Sequence, residues 1–139
     1  MSGTTNTGVV GYVSNSVTVY PSNSITVDIF GNAFYRNYKY GMGDDTGALW
    51  SNENKYNQYH MLYLTSVIST SLRGRFDYSH KLRSSKIKPF KIHLPTTDDG
   101  RPDLNFMELF IRAQQKLAIQ NMSAWRTKNI EIAKQVVAI

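Results

Sequence analysis

The sequence predicts an α+β domain: a twisted, mostly antiparallel sheet with one packing helix and a long C-terminal helix. Three observations lead there. Short β-prone runs separated by glycine, asparagine and serine fill the first 50 residues. Apolar and aromatic residues recur at three- and four-residue steps over residues 55–72. A second helical pattern opens at Pro102 and runs for about 30 residues.

In chain order, Val9-Val10-Gly11-Tyr12-Val13 is a short apolar run fenced by glycine and by Ser14-Asn15-Ser16. Val17-Thr18-Val19-Tyr20 is β-prone and ends at the turn cluster Pro21-Ser22-Asn23. Ser24-Ile25-Thr26-Val27-Asp28-Ile29 alternates polar and apolar side chains, the pattern of a half-buried strand. Gly31-Asn32 separates it from Ala33-Phe34-Tyr35-Arg36, which predicts a tight hairpin with positive φ at the turn. Gly41, Gly43 and Gly47 predict a loop, and Ala48-Leu49-Trp50 a short strand after it. Helical spacing then links Tyr56, Tyr59, Tyr63 and Val67, with Met61, Leu62, Leu64 and Ile68 widening the apolar face. Residues 55–72 are therefore predicted helical, capped by Asn52 or Asn54. Ile87 to Leu94 alternates like a strand before Pro95, and Thr97-Asp98-Asp99-Gly100 reads as a turn. Pro102-Asp103 opens the last helix, which carries Met107, Phe110, Ile111, Leu117, Met122, Trp125 and Ile130. Its length predicts coiled-coil packing or a kink near residues 120–123.

The 139 residues suffice for one domain, and 41% hydrophobic against 19% charged residues permits a buried core. With no cysteine, disulfides, thiol nucleophiles and thiolate-bound metals are excluded. The opening Ser2-Gly3-Thr4-Thr5 is not a signal peptide, and no apolar run is long enough to span a bilayer. A cytoplasmic protein without membrane contact is expected. The charge is concentrated in one place. Residues 73–91 hold Arg73, Arg75, Lys81, Arg83, Lys86, Lys88 and Lys91 against Asp77 alone, a net +6 that equals the charge of the whole chain. Phe76, Tyr78, Ser79, Ser84, Ser85 and Phe90 are interleaved with them. Basic groups neutralise phosphates, hydroxyls donate to phosphate oxygens, and aromatics pack on sugars or bases. A solvated basic face on an ordinary domain has the same composition.

No catalytic constellation stands out. Asp45-Thr46-Gly47-Ala48 spells an aspartic-protease fingerprint, but that chemistry needs two carboxylates sharing a proton, and the expected apolar strand before it is missing. The three glycines match no dinucleotide or phosphate-binding loop. His60, His80 and His93 have no metal-ligand spacing and read as packing or surface residues. Tyr56, Tyr59 and Tyr63 are expected to pack in the core, with a groove lining as the alternative.

The order of the pieces is more informative than any one of them. Gly8-Val9-Val10-Gly11-Tyr12 is followed by Asn23-Ser24-Ile25-Thr26-Val27, Gly31-Asn32-Ala33-Phe34-Tyr35 and Tyr40-Gly41-Met42-Gly43-Asp44-Asp45. Phe76-Asp77-Tyr78-Ser79-His80-Lys81 comes next, then Ile92-His93-Leu94-Pro95, Asp99-Gly100-Arg101-Pro102-Asp103 and Phe106-Met107. In this order the chain resembles a target recognition domain of the DNA-specificity (S) subunit of type I restriction–modification systems, or of related fused restriction–modification enzymes. The resemblance spans most of the chain and is most specific from Ile92 to Met107.

The resemblance implies a target recognition domain over residues 1–100 and a spacer or dimerisation helix over residues 101–139. Such domains normally start upstream, so it also implies an N-terminally truncated module, an excised fragment or half of a split subunit. The implied function is non-catalytic, sequence-specific recognition of double-stranded DNA. It would direct a modification methyltransferase subunit and, where present, a restriction subunit to the target. No cofactor is expected on this chain, since S-adenosylmethionine would bind the modification partner.

Within that frame Arg73, Arg75, Lys81, Arg83 and Lys86 are candidate phosphate contacts. Tyr35, Arg36, Asn37, Tyr38 and Lys39 are candidate base readers, with Tyr78, Ser79 and His80 behind them. Arg36 and Asn37 rank first, because arginine forks to guanine and asparagine to adenine. Met107, Phe110, Leu117, Met122, Trp125 and Ile130 are the candidate docking stripe, for a subunit or for a second copy of the chain. The alternative is a subunit-docking or oligomerisation module whose basic face touches DNA nonspecifically. A hydrolase using Asp45 is the remaining class.

Overall fold

The computed structural model describes residues 2–53, 55–83 and 90–137. Lys86, the first residues of the strand expected over Ile87 to Leu94 and the alternative cap Asn54 lie outside them; the described remainder, residues 90–94, forms no strand. A three-stranded antiparallel sheet forms the centre, in the order β3 (Ala33–Arg36), β2 (Ser24–Asp28), β5 (Thr46–Leu49). Ile25 pairs with Tyr35 and Leu49, and Val27 with Ala33 and Gly47, so these side chains share one face. Helix α1 (Gln58–Leu72) covers that face. Ile25, Val27, Ala33, Met61, Leu72 and Leu82 form the core beneath it.

The opposite face carries Ser24, Thr26, Asp28 and Arg36, all buried. The alternation predicts a half-buried strand; all five residues of β2 are buried instead. The cause is a polar lid. The N-terminal segment crosses this face, donating Gly3 N to Asp28 Oδ2 at 2.6 Å and accepting Arg36 Nη2 on Thr7 O at 2.6 Å. Among the described residues no buried side-chain polar atom lacks a partner, so burial here costs no orphaned hydrogen bond.

The hairpin turn falls where Gly31-Asn32 predicts it. Gly31 has φ +82°, and a Cβ there would meet Leu72 Cβ at 2.9 Å, so only glycine fits. The run at residues 9–13 forms no strand, and Val10 and Tyr12 are exposed. Of the next run only β1 (Val19–Tyr20) forms, paired with β4 (Tyr40–Gly41). Gly41 and Gly47, expected in a loop, lie in β4 and β5.

Helix α1 starts later than residue 55, and Asn52 does not cap it. Asn57 does, its Oδ1 accepting from the Tyr59 and His60 amides at 2.9 and 3.1 Å while His60 Nδ1 accepts from Asn57 N. The last helix, α2 (Leu104–Val137), is uninterrupted over 34 residues, so the kink expected near residues 120–123 is absent. Asp103 Oδ1 accepts from Phe106 N and closes its first turn. Only Met107 and Ile111 of α2 are buried. Met107 is wholly buried, so Met107→Ala should cost about 2–5 kcal/mol of stability. Urea unfolding checks this, and a smaller loss would mean that α1 and α2 close over the gap.

Candidate nucleic-acid interface

The basic segment is tied to the hairpin turn. Asp28, at the end of β2, accepts the Phe30 and Asn32 amides on Oδ1, both at 2.9 Å, and Asn32 Nδ2 on Oδ2 at 2.8 Å. The turn so fixed offers Ile29 O to Leu82 N at 2.7 Å, and Phe30 packs against the Tyr78 ring at 5.5 Å. Phe76 and Phe90 pack against the core cluster that includes Leu82, so the loop is held at several points. Its cations point outward: Arg73, Arg75 and Arg83 are exposed and Lys81 is half-buried. Arg75 lies over the Phe90 ring at 5.5 Å and Lys81 over Tyr78 at 5.4 Å. Asp77 Oδ1 accepts the Ser79 and His80 amides at 2.8 Å, which leaves the side chains of Tyr78, Ser79 and His80 in solvent.

The other predicted readers sit at the far end of the hairpin. Residues 37–39 join β3 to β4, and Asn37, Tyr38 and Lys39 are all exposed. The two loops are therefore separated by the length of β3, on the order of 15 Å at about 3.3 Å per residue. A stack of rings backs the second loop: Tyr20 on Tyr40 at 5.8 Å, Tyr38 edge-on to Tyr40 at 6.5 Å, and Trp50 edge-on to Tyr20 at 6.3 Å.

Tyr35 and Arg36, grouped with these readers by sequence, are turned inward. Tyr35 packs on the core, donates to Asn23 Oδ1 at 3.0 Å, and has its hydroxyl pKa raised by burial. Arg36 is only 7% exposed, and its donors go to Thr26 Oγ1, Thr7 O, Thr7 Oγ1 and the Tyr38 hydroxyl. Burial likewise raises the Tyr40 pKa, although Ser24 hydrogen-bonds its hydroxyl at 2.9 Å and opposes the shift. Asp45 is exposed and single, and its carbonyl accepts from Ile29 N, so it serves the hairpin turn.

Sequence spacing missed the junction between α1 and α2. Glu108 Oε2 accepts from Asn57 Nδ2 at 2.7 Å and lies 3.7 Å from His60 Nε2, while Oε1 accepts from Arg112 Nε at 2.8 Å. Arg112 lies 4.1 Å over the Tyr59 ring, and Tyr63 meets Phe106 and Phe110 edge-on. These tyrosines therefore pack against α2. Beyond Arg112 the described helix is exposed throughout, an arm of about 38 Å at 1.5 Å per residue. Of the docking stripe, Phe110, Leu117, Met122, Trp125 and Ile130 are exposed, whereas Met107 is inside the α1–α2 contact.

The hydrogen bond from Asn57, then that from Arg112, holds the Glu108 carboxyl below its ordinary pKa. Its bonds are therefore at full strength above the ordinary glutamate range and fade as pH falls through the lowered value. Spin labels on Asp44→Cys and Lys128→Cys, in a chain with no native cysteine, should report a narrow distance distribution at neutral pH that broadens in acid. An unchanged width would show that ring packing alone sets the arm's direction.

An α+β domain with a cationic loop at one end of a hairpin, an exposed polar loop at the other and a projecting helical arm defines a nucleic-acid recognition domain. The type I restriction modification DNA specificity domain matches residues 1–131. The chain belongs to that family and is a DNA-specificity module of a restriction–modification system. It is 27% identical over 117 residues to the type II restriction enzyme BgcI specificity subunit S.BcgI of Heyndrickxia coagulans, covering 82% of this chain and 34% of that protein. The chain thus spans about a third of the length of that relative. No solved structure gives a significant match. The family is defined by DNA specificity, in keeping with a non-catalytic module. Among the described residues no His/Asp/Glu group is placed to hold a metal, and no helix is long and apolar enough to cross a membrane.

Proposed function

We propose that the chain reads double-stranded DNA with both ends of one hairpin while its arm docks the enzyme that acts on the site. The carrying observation is that one hairpin holds an exposed loop at each end; a strand length on the order of 15 Å between them is comparable with the roughly 12 Å width of the major groove. Arg73, Arg75, Lys81, Arg83 and, outside the described residues, Lys86 hold phosphates. Asn37, Tyr38 and Lys39 approach base edges from one end, and Tyr78, Ser79 and His80 from the other. Methyl transfer, S-adenosylmethionine binding and cleavage belong to modification and restriction partners in the cytoplasm.

The set of exposed apolar side chains Phe110, Leu117, Met122, Trp125 and Ile130 along the arm supports docking to the modification subunit, or pairing of two copies. It also favours the second reading, a docking module with only nonspecific DNA contact. Methylation-site sequencing with the chain supplied to its cognate modification enzyme separates the two. Methylation at one sequence, altered when residues 37–39 are exchanged, supports base reading. Methylation independent of this chain's loops supports docking alone.

A further inference from the structure

We propose that Arg36 is a positioning residue: from inside the sheet it locks the 37–39 loop and the N-terminal turn into one arrangement. This rests on the reading of that loop as DNA-facing. Arg36 stands opposite Ser24 in the β2–β3 register, which puts its side chain on the polar face under the N-terminal segment. Its Nε donates to Thr26 Oγ1 at 3.0 Å, which fixes the guanidinium plane against the central strand. The plane also lies 5.3 Å from the Phe34 ring centroid. From there Nη2 reaches Thr7 O at 2.6 Å, and Nη1 reaches Tyr38 Oη at 3.3 Å. One planar group thus ties β2, the turn and the exposed loop together.

Two features make this more than packing. Thr7 has φ +51° and Asn6 φ +46°, left-handed backbone that a β-branched threonine rarely adopts. The carbonyl of that threonine is the one Arg36 holds. Among the described residues, moreover, no carboxylate pairs with the guanidinium. Its ligands are neutral oxygens arranged to fit a fork. Presenting the same fork to guanine would abandon all of them and open the polar face. Lysine, a single ammonium on a flexible stem, cannot reproduce the fork that reaches these four oxygens.

A direct reader and a positioning residue leave different footprints. The full chain and its Arg36→Gln, Arg36→Lys and Tyr38→Phe variants are to be measured on a duplex library randomised across the site, with thermal unfolding alongside. Arg36→Gln should lower the preference for the selected sequence about tenfold, spread over several base pairs, with the salt dependence of nonspecific binding unchanged. Arg36→Lys should restore little of it. Tyr38→Phe, at an exposed residue, should reproduce part of the diffuse loss, and adding Arg36→Gln to it should remove less than it does alone. Loss confined to one base pair overturns the proposal in favour of direct reading. A lower Tm with unchanged preference overturns it in favour of a purely structural role. Should Arg36→Gln not fold, Arg36→Lys, which keeps the charge and the stem, decides by the same criteria. A parent chain with no preference overturns the DNA-facing reading and this assignment together, and is recognised before any variant is compared.

Discussion

Changing Arg73, Arg75, Lys81 and Arg83 together to glutamine is expected to flatten the salt dependence of DNA binding. Each phosphate neutralised contributes about 0.9 to the slope of log affinity against log salt, so four lost contacts remove about 3.6. Between about 50 and 200 mM salt the parent chain should then lose about a hundredfold more affinity than the variant. The fold should survive, since three of these side chains are exposed and the fourth is half-buried. The contacts of Arg75 with Phe90 and Lys81 with Tyr78 are worth about 0.5–1 kcal/mol at exposed sites. Circular dichroism verifies folding, and titrations at several salt concentrations give the slopes. An unchanged slope would place the phosphates elsewhere and reduce the cationic loop to a solvated face. Lys81→Gln alone should remove about a quarter of the effect, equally on every sequence, because a phosphate contact carries no base information.

That the cations sit together was legible, because charge clustering needs only counting along the chain. What they rest on was not. The loop's position depends on Asp28 shaping the turn within four residues and on Leu82 N reaching Ile29 O, a contact across 53 residues that no local pattern announces. The hairpin was legible, since Gly31 is required by both its φ and its approach to Leu72. The strand alternation was read correctly as two faces, yet the polar face is buried as well. Its lid is Gly3 and Thr7, polar residues in an irregular segment with no periodic signature. Several asparagines precede α1, and the choice among them falls to Asn57 because His60, three residues on, supplies the reciprocal acceptor. That role is more familiar in Glu or Gln, so a histidine there does not advertise it. Arg36 illustrates the same limit. Residue type identifies a fork of donors, but strand parity decides whether that fork faces DNA or Thr7.

Asp28→Ala should cause the largest loss of stability of any single exposed-loop or sheet substitution considered, about 3–5 kcal/mol. The carboxylate is buried and accepts the amides of Gly3, Phe30 and Asn32 together with Asn32 Nδ2. Hydrogen bonds to a charged acceptor each contribute about 1.5–3 kcal/mol, and they overlap in effect when one group serves several donors. Alanine removes the acceptor and leaves three backbone amides to find water in a covered site. For a chain of this size the Tm should fall by roughly 10–20 °C. Asp28→Asn should lose less, because its remaining carbonyl oxygen can still serve the turn amides while its new NH2 opposes Gly3 N and Asn32 Nδ2. The consequence for DNA follows from position. The carboxylate holds the turn that carries the cationic loop on one side and ties down the N-terminal lid on the other. In Asp28→Asn, still folded at low temperature, amide exchange should therefore accelerate in Gly3, Phe30 and Asn32 and in the loop residue Leu82 alike. Protection lost at Gly3 alone, with Leu82 unchanged, would show that the turn keeps its shape without the carboxylate and that the two surfaces are independent.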